Sequence, residues 1–490
     1  MKKRLFGILL TMEGLMLALT SIVSLIYAED DGLAFLTSAL IAFAVGGALH
    51  TAGSKKEGKR MTRADSFLIV ALTWVLFSAI GMMPFILHLR MSPADAFFEA
   101  MSGFTTTGAT IIADVDGLTY GLRFWRSMMH WIGGLGIIVF SVALIPVYEM
   151  KNSNVYSAEV SGLELDRLRP KIGATARRTL SIYILLSVIC TLFLWMGPMD
   201  LFDAVCHAMS TLATGGFSTH TASVGFFHSA YVEYVCAIFM LLSSINFSLY
   251  YYLSIRRTQV FLRNEEMHTF FYIVSFFVLV FFLLFLHTPQ AGCHTEDMLY
   301  NLGQNFRTAF FHVSSIISST GFAGENFNYV SWGVPFWMPT LILMAIGACA
   351  GSTGGGIKVL RILICAKGAL NEFVKLLHPR AVLGIRISGQ IVPGENVSRA
   401  LAYIFIYLIL TVIGTFILTL LGNDIETSLG SSISMLSNIG PGMGATGPAS
   451  NFSHIHDAGK WLMSFYMLVG RLEIFTVLLL FMPRFWKENN

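Results

Sequence analysis

Charge is scarce in this sequence of 490 residues: Asp, Glu, Lys and Arg together make up 12%, against about 25% in an ordinary soluble domain. Hydrophobic residues make up 55%, and apolar runs long enough to cross the roughly 30 Å hydrocarbon core recur along the chain, so a soluble fold is excluded. Cysteine is also sparse. The six cysteines (Cys190, Cys206, Cys236, Cys293, Cys349 and Cys365) lie mostly in apolar segments without metal-ligand spacing and read as buried, inert thiols. No soluble nucleotide-binding domain is expected, because the largest polar segments, Lys151–Arg178 and Lys367–Arg399, are too short to fold alone. No Ser/His or His/Glu pair stands at helical spacing within the apolar runs. Ser352 lacks a Gly-x-Ser-x-Gly frame, and His50, His130 and His207 are scattered. The chain therefore reads as a non-enzyme without a bound organic cofactor, and with membrane lipid rather than nucleic acid around it.

What is present is a series of apolar runs: Leu5–Tyr27, Leu33–Thr51, Ser66–Leu87, Phe124–Tyr148, Leu180–Met196, Tyr231–Leu253, Phe270–Leu286, Phe336–Ala366, Ala400–Leu421 and Trp461–Met482. Basic residues sort to one side of this array: Lys2, Lys3 and Arg4, then Lys55, Lys56, Lys59, Arg60 and Arg63, Lys151 through Arg178, Arg256, Arg257 and Arg263, Lys367 through Arg386, and Arg484 and Lys487. By the positive-inside rule that side is the cytoplasm, which puts both termini of a multi-pass plasma-membrane protein there. Lys2-Lys3-Arg4 followed by an apolar stretch also suits a signal peptide. The stretch of about 23 residues exceeds the usual 7–15-residue signal core, so a retained helix is expected.

Between alternate runs lie four short polar segments that share a pattern. Aligned on Gly108, Gly216, Gly321 and Gly440, they carry a serine six residues earlier (Ser102, Ser210, Ser315, Ser434) and a capping-type side chain thirteen earlier (Asp95, Asp203, Thr308, Thr427). The glycines stand 108, 105 and 119 residues apart (216 − 108, 321 − 216, 440 − 321). The capping residue predicts the start of a short helix. The Thr/Ser/Gly run predicts its end in extended backbone with exposed carbonyls.

This is the composition of a selectivity filter. A dehydrated monovalent cation needs a ring of oxygens in place of its water, and main-chain carbonyls supply one where glycine permits the backbone conformation. A short helix with its carboxyl end at the pore adds partial negative charge. The candidate ion-binding residues are Thr106, Thr107, Gly108 and Ala109; Thr214, Gly215, Gly216 and Phe217; Ser319, Thr320, Gly321 and Phe322; and Asn438, Ile439, Gly440 and Pro441.

Gly347 through Lys358 interrupts the longest apolar run with Gly351, Gly354, Gly355 and Gly356. Each glycine costs a helix roughly 1 kcal/mol, so the stretch is expected to unwind within the membrane and to be buried or to face water. It is not a P-loop, because Ile357 separates Gly356 from Lys358 and no strand precedes it. Arg471 falls within the last run, where an arginine needs a partner or an aqueous cavity. Two readings stand: half of a buried ion pair, or a fixed positive charge beneath the filter. Glu99, His207, His312 and Ser431 all precede their filter glycine by nine residues and are expected to brace the filter from behind, with proton coupling at Glu99 or His207 as the alternative. Ser243, Ser244 and Asn246 read as a cavity lining or a helix contact.

His130 through Gly136, Ala213 through Thr219, Gly347 through Lys358 and Asn438 through Gly442 together give the chain, over essentially its whole length, a resemblance to the Trk/Ktr/HKT superfamily of potassium-translocating subunits. The amino-terminal helix pair resembles the TrkH branch. The resemblance implies an all-α membrane protein with a fourfold pseudo-repeat of helix–pore-loop–helix units around a central pore, plus two extra amino-terminal helices. Residues 1–64 would hold that pair, and 65–175, 176–264, 265–395 and 396–490 the four repeats. It implies potassium as the transported ion, selected with Gly108 retained, and a gate at Gly351, Gly354, Gly355, Gly356 and Lys358, with Arg471 as the positive barrier. It further implies a homodimer and a cytosolic nucleotide-binding subunit of the RCK type, resembling TrkA, docked on basic loops that include His378, Pro379 and Arg380. A proton- or sodium-coupled symporter is the alternative to a channel-like path.

Overall fold

The computed structural model describes residues 2–54, 63–144, 172–288, 298–325, 328–381 and 383–487. Lys55, Lys56, Lys59, Arg60, Cys293 and the stretch 145–171, with the end of the run expected to reach Tyr148, lie outside the described residues. The described residues are almost entirely helical, with a single two-stranded hairpin pairing Arg386–Ile387 with Gln390–Ile391. Among the described residues six helices are long and apolar enough to cross a membrane: Lys3–Ile26, Gly32–Gly53, Phe67–Leu89, Arg178–Trp195, Glu265–His287 and Gly394–Leu420. The described cysteines are free thiols, four of them buried and Cys365 half-buried.

The amino-terminal helices Lys2–Ile26 and Gly32–Ser54 pack on each other. Asp31, in the turn between them, accepts from the hydroxyls of both Ser24 and Thr119. One buried carboxylate thus fixes the pair beside the helix that follows the first filter. Two large apolar clusters make up the core. One joins the amino-terminal pair to the first and fourth repeats, with Phe35, Trp74, Phe104, Trp125, Tyr407 and Met467. The other joins the second and third, with Tyr183, Phe239, Phe281, Phe322, Phe336 and Met344.

The four expected short helices are Pro93–Phe104, Leu201–Ala213, Met298–Ile317 and Ile425–Ser437. Their caps differ from expectation. The side chains of Ser92, Asp200 and Asp424 cap the first, second and fourth, each accepting from the backbone N–H three residues on, at Asp95, Asp203 and Thr427. The residues expected as caps therefore sit one turn inside the helix and supply the backbone N–H that the true cap accepts. In the third copy Thr308 lies inside the described helix Met298–Ile317 and turns its hydroxyl back to the Gln304 carbonyl.

The helix that follows each filter is broken in all four repeats. Gly136 leaves helical geometry at φ 64° within Tyr120–Leu144. Ala230–Ser243 and Phe247–Ser254 meet at 87°, and Asp457–Arg471 and Ile474–Phe481 at 117°. Val334–Ile346 and Val359–Leu377 are separated by the glycine-rich stretch. Tyr231–Leu253 and Trp461–Met482 are thus not straight spans, although their composition is. Broken backbone at membrane depth persists only where its polar groups find partners. At the second break Phe247 N–H donates to the Gly351 carbonyl (3.0 Å) and Cys349 N–H to the Ser244 carbonyl (3.1 Å), so this break and the glycine-rich stretch satisfy each other.

Candidate functional site: a ring of carbonyls and the loop beneath it

Each short helix closes in the same way. The carbonyl of the aligned serine accepts from the residue just before the filter glycine: Thr107 to Ser102 (2.9 Å), Gly215 to Ser210 (2.8 Å), Thr320 to Ser315 (3.0 Å) and Ile439 to Ser434 (3.0 Å). Two residues before the glycine, Thr106, Thr214, Ser319 and Asn438 adopt φ of 51°, 54°, 59° and 52°. This left-handed conformation turns the chain out of the helix and is rare for β-branched residues. The glycines follow at φ 80°, 88°, 76° and 103°.

The glycines are required twice over. A Cβ on Gly108 falls 2.1 Å from the Gly215 oxygen, one on Gly216 2.0 Å from the Thr320 oxygen, and one on Gly321 2.0 Å from the Ile439 oxygen. One on Gly440 falls 2.6 Å from the Thr107 oxygen. Each glycine abuts the carbonyl that precedes the next repeat's glycine, and the fourth returns to the first. The four segments therefore surround one axis in chain order, with the carbonyls of Thr107, Gly215, Thr320 and Ile439 at one level. Asn438 adds a side-chain tie across the closing seam, donating to Thr107 Oγ1 (2.9 Å) and to the Met467 carbonyl (2.9 Å).

Buried polar groups hold this ring from outside. Glu99 accepts from Arg126 Nε (2.9 Å), Thr110 Oγ1 (3.0 Å) and Ile111 N–H (3.0 Å). Arg126 in turn donates to the Ser218 carbonyl of the second filter (3.1 Å) and lies over the Phe217 ring. His207 Nε2 meets Ser218 Oγ at 2.9 Å, and Ser431 Oγ meets Thr446 Oγ1 at 2.8 Å. His312 instead faces Thr340 Oγ1 (3.1 Å), on the helix that follows its filter. Further ion pairs cross between repeats, Lys460 with Asp95 (2.6 Å) and Arg307 with Glu233 (3.0 Å), and Arg307 also meets Glu325 within its own repeat (3.0 Å). Sequence reading passed over these basic residues, because each meets a carboxylate far away in the chain.

At the filter-side surface His220 bridges Asp116 (2.6 Å) and Asp203 (3.2 Å) and stacks on Phe226. Partial burial opposes the charged imidazole, but hydrogen bonds to the two carboxylates outweigh it and raise the His220 pKa above its ordinary value. Burial likewise opposes ionisation of Asp116. Its hydrogen bonds from His220 and Thr221 prevail and lower its pKa.

Beneath the ring lies the glycine-rich stretch, which touches the second, third and fourth filter segments and is tied through Arg471 to the first repeat. Thr353 Oγ1 donates to the Leu212 (3.1 Å) and Ser243 (3.2 Å) carbonyls of the second repeat. Gly355 N–H donates to Ser319 Oγ of the third filter (2.6 Å), and a Cβ on Gly355 would fall 2.0 Å from the Ser437 oxygen of the fourth. Arg471 donates to the Thr353 carbonyl (2.6 Å) and to the Gly133 carbonyl of the first repeat, and lies over Trp74. Lys358 Nζ donates back to the Gly354 carbonyl. The Arg361–Glu473 ion pair, which sequence reading did not single out, joins the far end of the stretch to the break in the last helix. Gly351 and Gly356 hold φ of 72° and 82°. The stretch thus packs against the inner ends of the filter segments and is held there by Arg471 and by the Lys358–Gly354 contact.

A family model described as TrkH, a cation transport protein, matches residues 32–488. The Trk system potassium uptake protein TrkH of Escherichia coli (strain K12) is 36% identical over 492 residues, covering 99% of both chains. The TrkG protein of the same organism is 36% identical over 487 residues, 98% of this chain and 97% of that one. The crystal structure of the potassium transporter TrkH from Vibrio parahaemolyticus matches with a TM-score of 0.86 at 32% identity, over 99% of this chain and 98% of that one.

Proposed function

This chain belongs to the TrkH family of cation transport proteins, and from that membership we propose that it takes up potassium across the bacterial plasma membrane through a four-repeat filter closed below by an intramembrane gate. The observation that carries the reading is the cyclic contact of Gly108, Gly216, Gly321 and Gly440 with the carbonyls of Gly215, Thr320, Ile439 and Thr107. Such a ring offers a dehydrated cation several oxygens at one level, which is what replacing a hydration shell demands. Thr106, Thr214, Ser319 and Asn438 form its inner edge and Ala109, Phe217, Phe322 and Pro441 its outer edge.

The repeats take the bounds 65–175, 176–264, 265–395 and 396–490, with 1–64 as the accessory pair. Gly351, Gly354, Gly355, Gly356, Lys358 and Arg471 form the gate, supported by the bonds of that stretch to the second and third filter segments and by Arg471, which ties it to the first repeat. Basic residues at Lys2, Lys3, Arg4, Arg484 and Lys487 support cytoplasmic termini. The name of the Trk system relatives supports a cytosolic regulatory subunit of the TrkA kind, and the assembly we propose is a homodimer. Potassium and sodium flux into liposomes holding the purified chain, with and without an imposed proton gradient, tests the reading. Potassium flux that follows its own gradient supports it, and flux that requires the proton or sodium gradient replaces it with coupled symport.

A further inference from the structure

The stretch beneath the filter is tied not only to the pore but also to the hairpin on the basic face of the protein. Ser388 and Gly389 form the hairpin's turn at φ 48° and 81°, and both are exposed. Ile385, Ile387 and Val392 at its base are buried in a small apolar cluster whose other members include Ala350 of the stretch and Leu360 and Ile364 of the helix after it.

Two consecutive carboxylates reinforce this contact. Glu265 and Glu266 begin the helix Glu265–His287, and neighbours on a helix point about 100° apart. Glu265 faces the hairpin: its carboxylate accepts from Ser388 N–H (3.0 Å) and meets Lys367, its own N–H donates to Ser388 Oγ (3.0 Å), and Lys367 also donates to the Arg386 carbonyl (2.7 Å). Glu266, buried, faces the stretch and accepts from Ala350 N–H at 2.6 Å.

We infer that Glu265 and Glu266 form a latch that couples the exposed hairpin 386–391 to the inner end of the intramembrane stretch at Ala350, so that displacing the hairpin displaces the stretch. Hydrogen bonds to a charged acceptor are the stronger kind, and here two adjacent ones share a single rigid helical turn. A movement imposed on the hairpin from the aqueous side therefore meets Ala350 through a side-chain link and an apolar contact at once. Glu266 acts as a positioning residue for the stretch. The inference rests on reading the stretch as the gate.

The test uses the full chain. Glu265→Ala alters only the hairpin side of the latch. It is expected to speed amide hydrogen exchange at Cys349–Thr353 as well as at 386–391, and to raise basal Rb⁺ uptake into liposomes about tenfold, the population shift that follows loss of one hydrogen bond to a charged group from a two-state equilibrium. Glu266→Ala is expected to do the same. Glu266→Gln, whose amide oxygen still accepts from Ala350, keeps uptake near that of the parent. Should Glu266→Ala fail to fold, Glu265→Ala at the half-exposed position carries the test. Faster exchange in the hairpin with no change at Cys349–Thr353 overturns the latch. Uptake that rises on deleting Gly351–Gly356 but not in Glu265→Ala also overturns it, while leaving the gate intact. Faster exchange at Cys349–Thr353 with no rise in uptake in either variant upholds the latch and removes the gate reading.

Discussion

Gly355 donates its backbone N–H to the Ser319 hydroxyl at 2.6 Å, so the glycine-rich stretch is hydrogen-bonded to the third filter segment. Ser319 stands two residues before the third filter glycine, at the inner edge of the ring. Any movement that opens the path below must release this hydroxyl. The inner edge of the filter and the state of the stretch are therefore linked by a single bond, and by reciprocity a cation that recruits the Ser319 hydroxyl weakens the closed arrangement.

Gly108→Ser is expected to relax discrimination against sodium while the chain still inserts. The new Cβ, 2.1 Å from the Gly215 oxygen at φ 80°, forces that carbonyl out of the ring. The Rb⁺/Na⁺ flux ratio of mutant and parent checks it, and an unchanged ratio means the ion is selected elsewhere.

Deleting Gly351–Gly356 is expected to raise basal Rb⁺ flux with no partner subunit present. The deletion removes the contacts to Ser319, Leu212 and Ser243 that hold the stretch in place. Flux that stays at background, in protein that elutes as a single folded species, rejects the gating role.

Arg471→Ala is expected to raise flux and to lower the melting temperature. The Thr353 and Gly133 carbonyls each lose a donor, at about 1–3 kcal/mol for a buried group left unpaired, and a fixed positive charge leaves the axis. Uptake and melting temperature measured on one preparation separate barrier from scaffold: a less stable protein with parental flux makes the arginine structural only.

Glu99→Ala is expected to destabilise the chain by about 3–5 kcal/mol, because it strands the buried Arg126. Denaturation in detergent measures this. The double variant Glu99→Gln, Arg126→Met is expected to recover part of the loss, and a double variant no more stable than the single one argues against a paired cost.

The bridge of His220 to Asp116 and Asp203 predicts a stability plateau in mildly acidic conditions. The raised His220 pKa contributes stability that is full below the ordinary histidine value of 6.5 and is lost as pH rises through the folded value. The lowered Asp116 pKa contributes stability that is full above the ordinary value of 3.8 and is lost as pH falls through its folded value. Melting temperature against pH is expected to decline on the alkaline side in the parent and to flatten there in His220→Gln. An identical alkaline slope in both assigns that loss to other groups.

The glycines and the aligned serines were legible because a ring of carbonyls imposes the same backbone on every copy, and that backbone admits few residues. The caps were misread by one turn at Asp95, Asp203 and Thr427, since a capping-type residue stands both at the true cap (Ser92, Asp200, Asp424) and three residues on. The breaks at Ser244–Asn246 and Leu472–Glu473 were illegible: the runs around them stay apolar, and the groups that satisfy the exposed backbone, Gly351 and Cys349 at the second repeat, lie about a hundred residues away. Separation along the chain likewise hid Arg126, Lys460 and Glu266, whose partners Glu99, Asp95 and Ala350 lie outside their own helices.

The seam between the first and last repeats has a consequence for biogenesis. Gly440 against the Thr107 carbonyl, Asn438 on Thr107, Phe452 N–H on the Thr110 carbonyl (2.9 Å) and Lys460 on Asp95 all join residues made early to residues made late. During synthesis the first filter segment waits in the bilayer with one flank bare until the final fifty or so residues leave the ribosome. A chain cut short ahead of Lys460 leaves Asp95 without that cation, so an incomplete product keeps the first filter helix without its late partner.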